Sequence, residues 1–204
     1  METVKIGIMG GSFDPVHNGH VNLARDALAQ AALDRILLVP ARMQPFKLDR
    51  TPASGADRME MLRLALADDP QIEPSSFELD REGVSYTYLT LRGMQELLGP
   101  DVKLYFIIGT DSLLKLDTWM EAEELLTKYA YIVGSRPGYE DEALVKQQKL
   151  LEEQYGTEIL WIHNRTFDVS ATEIREMLAA GESVTGLIPA AVEEYIRTHG
   201  LYRE

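Results

Sequence analysis

At 204 residues, 45% of them hydrophobic and 26% charged, the chain is expected to form one globular domain over 1–204, its helical C-terminal part (about 170–204) packed on the same core. A formal net charge of −13 excludes general binding to nucleic-acid backbones, and no apolar run approaches the roughly 20 residues that cross a membrane. Without cysteine there are no disulfides and no metal–thiolate sites, and an N-terminus that enters a strand directly, with no secretion signal, makes the cytoplasm the expected location.

Strand and helix signals then alternate along the chain. Val4–Met9 is an apolar run of strand length, and Gly19–Ala31 has the apolar spacing of a helix. Arg35–Pro40 reads as a second buried strand stopped by its proline, Ala41–Gly55 as a long polar loop, and Asp57–Leu66 as a helix. Weak extended pieces are expected at Gln71–Glu73 and Phe77–Leu79, then a helix over Thr87–Leu98 closed by Gly99 and Pro100. Val102–Ile108 is apolar on both faces, as in the middle of a parallel sheet. Asp117–Lys128 reads as a helix, Ala130–Gly134 as a strand, Ala143–Tyr155 as a helix and Glu158–Ile162 as a strand. The acidic runs 121–124 and 140–142 suit solvated helix faces. Ser170–Glu173 matches a capping box, and a last helix runs from Pro189, at its first position, to Gly200 just past its end. Such alternation implies an α/β fold: a three-layer α/β/α sandwich around a doubly wound, mainly parallel sheet, with ligands beyond the carboxyl ends of the strands.

Two segments carry phosphate chemistry. Gly10-Gly11-Ser12-Phe13-Asp14-Pro15-Val16-His17-Asn18-Gly19-His20 lies where a buried strand hands over to a helix N-terminus. Backbone N–H groups and the positive end of the helix dipole attract phosphate there, and two imidazoles can touch a phosphoryl group. The histidines could instead be metal ligands or nucleophiles. A zinc set is hard to assemble from a chain whose other histidines, His163 and His199, are far off in sequence, and a nucleophile needs an orienting partner. Ser170-Ala171-Thr172-Glu173-Ile174-Arg175 opens another helix with two hydroxyls and an arginine one turn on, a second pocket for phosphate oxygens. Its alternative is a plain capping serine with Arg175 in solvent. Gly109 at a strand end lets a base approach the backbone and Asp111 can accept from ribose hydroxyls, unless Asp111 only caps a short helix. Trp119, taken alone, suits core packing.

The first segment resembles the signature of the nucleotidylyltransferase superfamily, whose core is His-x-Gly-His, and its longer form resembles the bacterial nicotinate mononucleotide adenylyltransferases. That resemblance implies a Rossmann-like nucleotidylyltransferase fold and adenylyl transfer from ATP to nicotinate mononucleotide, giving nicotinate adenine dinucleotide and pyrophosphate, in NAD biosynthesis. It implies catalytic roles for His17 and His20 at the transferred phosphoryl group, and ATP contacts from Gly10, Ser12, Phe13, Gly109, Asp111, Arg136, Ser170, Thr172 and Arg175. Lys47 is implied as a phosphate contact. Trp119 would stack on the pyridine ring, while Ser85, Tyr86, Thr87 and Met120 meet the nicotinate carboxylate. Mg²⁺ would accompany ATP, no protein metal site is expected, and assembly would be a homodimer or larger. One departure stands out: against the family's Pro-x-His-Lys this chain keeps Lys47, with Phe46 where the histidine is expected. Three other readings stay open: adenylylation of a nicotinamide or phosphopantetheine substrate, a non-catalytic nucleotide sensor, and a plain scaffold.

Overall fold

A computed structural model describes residues 3–42, 53–135, 141–165, 167 and 169–203. In chain order they form β1 (Val4–Gly11), α1 (Asn18–Gln30), β2 (Arg35–Pro40), α2 (Gly55–Ala65), β3 (Ile72–Pro74), α3 (Thr87–Leu98) and β4 (Val102–Gly109). Then come α4 (Thr110–Leu113), a 3₁₀ turn (Leu116–Thr118), α5 (Ala122–Lys128), β5 (Ala130–Ser135), α6 (Glu142–Tyr155), β6 (Ile159–His163), α7 (Ala171–Ala179) and α8 (Ala190–His199). The strands make one six-stranded sheet in the order β3-β2-β1-β4-β5-β6. Parallel pairing sets Ile8 beside Phe106, Gly109 beside Gly134 and Ser135 beside His163. This is the doubly wound α/β architecture that the alternation of elements implied, and its winding reverses between β1 and β4.

The described residues cluster into two compact units. One takes in Met1–Met9, Leu23–Leu37 and Tyr86–Arg165. Its centre is β4, where Leu104 to Ile108 are all buried, beside the equally buried Ala130–Val133 of β5. Strands covered on both faces read as unbroken apolar runs, which is why this part of the sheet was plain in the sequence. Gly99 ends α3 with φ 92, a left-handed conformation that costs glycine little. Between Asp117 and Lys128 the expected single helix is broken. Trp119 is extended (φ −73, ψ 157) after the 3₁₀ turn, and Glu121 takes a left-handed conformation (φ 56) before α5 begins. The short α4 is the helix that the sequence offered as the alternative reading of Asp111, with Gly109 and not Asp111 as its N-cap.

The other unit takes in Gly10–Asn22, Leu38–Ser85 and Thr166–Glu204. Here α2 packs on α8, and the Tyr195 hydroxyl donates to Asp57 Oδ1 at 2.9 Å. The capping box of α7 is complete: Ser170 Oγ accepts from the Glu173 amide, and the Glu173 carboxylate accepts from the Ser170 amide. Pro189 is the N-cap of α8 rather than its first residue, and Gly200 closes it at φ 65. Phe77–Leu79 is a turn, not an extended piece. The Asp80 amide returns to Ser76 O at 3.0 Å, and the Ser76 hydroxyl reaches the Asp80 carboxylate at 2.6 Å. Local side-chain bonds of this kind compete with a strand ladder.

Candidate active site

The loop after β1 is the most tightly specified part of the second unit. Phe13 is wholly buried with φ 45, a left-handed conformation unusual for a bulky residue and held only where surroundings over-determine it. Its ring meets His20 edge-on with centroids 5.0 Å apart. With its side chain enclosed, Phe13 has only its backbone left to meet a ligand. Asp14 is 3% exposed, and its Oδ1 accepts from the Tyr202 hydroxyl at 2.6 Å and the Ala53 amide at 3.1 Å. Arg58, equally buried, donates from Nη1 to the carbonyls of Ser12 (3.0 Å) and Ala41 (2.7 Å) and from Nε to that of Ala53 (3.1 Å). Burial pulls the Arg58 guanidinium below its usual range, and the Asp14 charge works against that pull. A buried cation is tolerable only with partners of this quality.

His17 and His20 stack with centroids 3.6 Å apart and planes 28° from parallel. The His17 amide donates to His20 Nδ1 at 3.3 Å. A neutral His20 therefore carries its proton on Nε2, as a donor. His17 is 9% exposed, and burial alone holds its imidazole down at about 4, so it is neutral near pH 7. Not every amide at this junction is free, as the strand–helix pattern had suggested. Those of His17 and Asn18 are used, on His20 Nδ1 and on the Leu187 carbonyl at 2.9 Å.

The second phosphate motif meets the first directly. Arg175 is half-buried, and its Nη1 donates to the Asp14 carbonyl at 2.7 Å while Nη2 donates to Thr172 Oγ1 at 2.9 Å. It does not lie free in solvent. Thr172 accepts in that contact, which leaves its own hydrogen to donate. Ser170 Oγ is engaged with Glu173 in the capping box, donating to its carboxylate at 2.7 Å. Ser85, also in this unit, accepts from the Arg42 amide at 3.0 Å through its hydroxyl.

The first unit carries the remaining candidates. Gly109 is exposed at the end of β4 and is the N-cap of α4; Asp111 stands in the first turn, exposed, and is not the cap. Trp119 is half-buried, with Phe106 edge-on at 6.1 Å, and Met120 is 53% exposed. Tyr86 is the N-cap of α3 and Thr87 its first residue. Lys47, Phe46 and Arg136 lie outside the described residues. Among the described residues no group of three or more His, Asp or Glu side chains could hold a metal ion, and no helix is long and apolar enough to cross a membrane.

Sequence reasoning left three members of this site without a role. Asp14 lies inside the quoted motif, but its partners come from remote positions. Arg58 lies within the helix read over Asp57–Leu66, and neither it nor Tyr202 carries a local signal of its partners. Only the buried hydrogen bonds reveal them.

Residues 8–177 match the model of the cytidylyltransferase-like family, and the chain belongs to that family. Relatives along the whole length carry the name "Probable nicotinate-nucleotide adenylyltransferase". That of Roseiflexus sp. (strain RS-1) is 40% identical with 100% of both chains covered, and that of Carboxydothermus hydrogenoformans 39% identical with the same coverage. Within the family the chain falls with these nicotinate-nucleotide adenylyltransferases. Plasmodium falciparum nicotinic acid mononucleotide adenylyltransferase, solved in complex with APC and with NaAD, superposes with a TM-score of 0.76 in both structures. The alignments cover 98% of this chain and 97% of that one, at 22% and 23% identity, a likeness of fold.

Proposed function

We propose that the chain transfers the adenylyl group of ATP to nicotinate mononucleotide, releasing pyrophosphate and nicotinate adenine dinucleotide. The observation that carries this reading is the union of both phosphate motifs in one unit: the stacked His17–His20 pair, and Arg175 bonded to the Asp14 carbonyl of the same loop. The 5′-phosphate of the mononucleotide attacks the α-phosphorus of ATP. A bond forms from that phosphate oxygen, the bond between the α-phosphorus and the bridging oxygen breaks, and the electron pair leaves with pyrophosphate. A phosphate monoester has a second pKa of about 6, so the nucleophile is already charged near pH 7 and needs no general base.

The protein's work is to gather anions and to place donors where charge grows. His20 donates from Nε2 and neutral His17 from one ring nitrogen to the α-phosphoryl oxygens. Arg175 and Thr172 hold the β- and γ-phosphates at the helix start that Ser170 caps, its own hydroxyl and amide bonded to Glu173, with Lys47 and Arg136 as further cations. Gly10, Ser12 and the Phe13 backbone face the nucleotide, while Gly109 and Asp111 receive the adenosine. Trp119 stacks on the pyridine ring, and Ser85, Tyr86, Thr87 and Met120 receive its carboxylate. Mg²⁺ brought in with ATP would supply charge neutralisation at the triphosphate. Pyrophosphate release, measured with ATP plus nicotinate or nicotinamide mononucleotide, tests the reading. The nicotinate form should be the better substrate. ATP binding without release would leave a sensor, and preference for the amide would overturn the ring assignment.

A further inference from the structure

We propose that Phe167 is a positioning residue for the His17 imidazole, orienting by ring stacking a side chain that other histidines of this kind orient by a hydrogen bond. The inference rests on the adenylyl-transfer reading and adds to it the group that aims one of its two histidines. An imidazole that handles a phosphoryl group or a metal normally has its second nitrogen tied to a carbonyl or carboxylate, and that bond sets tautomer and ring plane. His17 Nδ1 is buried and has no hydrogen-bond partner among the described residues. Rings take the place of that partner. His17 stacks on His20 at 3.6 Å and lies nearly parallel to Phe167, with planes 10° apart and centroids 5.3 Å apart.

The glycine between the histidines makes this contact feasible. A Cβ at Gly19 would come within 2.7 Å of Phe167 Cδ1 and 2.9 Å of His17 Nδ1. Any side chain there would force the two rings to shift. Phe167 is half-buried, outside every helix and strand, and stands three residues ahead of Ser170. It therefore links the segment that opens α7 to the histidine loop at the level of the reacting group. The ring face also shields Nδ1 from water, consistent with burial as the only influence on the His17 titration.

Three variants decide the matter: Phe167→Ala, Phe167→Leu, which keeps apolar bulk without a ring face, and Phe167→Tyr, which restores the face. Each is measured for kcat and KM in pyrophosphate release from ATP and nicotinate mononucleotide, for melting temperature, and for the His17 midpoint by NMR. Small misplacements of a reacting group cost up to about 100-fold, so Phe167→Ala and Phe167→Leu should lower kcat about 10-fold or more with KM for ATP within about two-fold. Their His17 midpoint should rise from about 4 toward 6.5, and Phe167→Tyr should restore both readouts. Should Phe167→Ala not fold, Phe167→Leu carries the same comparison. Unchanged kcat and midpoint would overturn the inference, and a lower melting temperature with both unchanged would mark Phe167 as packing only. If the wild-type protein released no pyrophosphate, the adenylyl-transfer reading would fail, and the NMR midpoints would still decide what Phe167 does to His17.

Discussion

The two compact units bury polar groups in opposite ways. Among the described residues of the unit built on β4, β5 and β6, the buried polar side chains are Thr90, Ser135 and Thr157, together with the hydroxyl of Tyr131. All are uncharged hydroxyls, and those of the two threonines and the serine donate to backbone carbonyls, as Thr157 does to those of Leu126 and Leu151. Charges there stay outside, in exposed pairs such as Lys103 with Glu158. In the unit that holds the histidine loop, the buried polar groups are Asp14, His17 and Arg58. Burying an aspartate, an imidazole and a guanidinium costs free energy that a folding domain would otherwise avoid. Their cost is tolerated where they hold a loop in one shape, and the loop so held carries the first phosphate motif and meets Arg175 of the second at the Asp14 carbonyl. Uncharged hydroxyls take the buried polar positions of the first unit, and charged groups that preorganise a loop take those of the second.

The largest effect should come from breaking the second unit's network at its cation. Arg58→Ala takes a donor from each of the carbonyls of Ser12, Ala41 and Ala53 and a nearby positive charge from Asp14. The loss should be about 3–5 kcal/mol in denaturant unfolding, the usual penalty for removing one member of a buried charged set. Acid provides a subtler probe of the same loop. With a native His17 value of about 4 against 6.5 for the free side chain, the unfolded chain takes up a proton that the folded ring refuses. Stability is therefore constant with respect to this group above pH 6.5 and falls as pH drops from 6.5 to 4. The contribution is on the order of 3 kcal/mol, and it should disappear from the wild-type profile in His17→Ala.

Smaller changes sharpen the contrast. Arg175→Lys retains the charge but loses the fork that bridges the Asp14 carbonyl and Thr172, so kcat/KM for ATP should fall about 10-fold with little change in melting temperature. In the other unit, Lys103→Ala removes an exposed ion pair, and its effect on stability should stay below about 1 kcal/mol and shrink further in salt. A loss there as large as that of Arg58→Ala would erase the distinction between the units.

Much of the fold was legible because it depends on local pattern. Val102–Ile108 announces a buried strand by composition, Ser170 and Glu173 announce a cap by spacing, and Gly200 announces an end by its backbone freedom. The failures have equally physical causes. Asp117–Lys128 has helical composition throughout, yet Trp119 turns extended and Glu121, not a glycine, takes the left-handed corner. Nothing local signals either. Within the site the histidines, Arg175 and the cap could be read from motif and spacing. Asp14, Arg58 and Tyr202 could not, because what makes them matter is who meets them: Tyr202 reaches Asp14 across 188 residues of sequence. Phe167 stayed silent for the same reason.

The most direct test of the histidine loop's role is single-turnover pyrophosphate release from ATP and nicotinate mononucleotide in His20→Ala protein. Loss of one donor to a developing charge should slow that step at least about 100-fold with only modest change in ATP affinity. A variant that releases pyrophosphate at the wild-type rate would contradict the account.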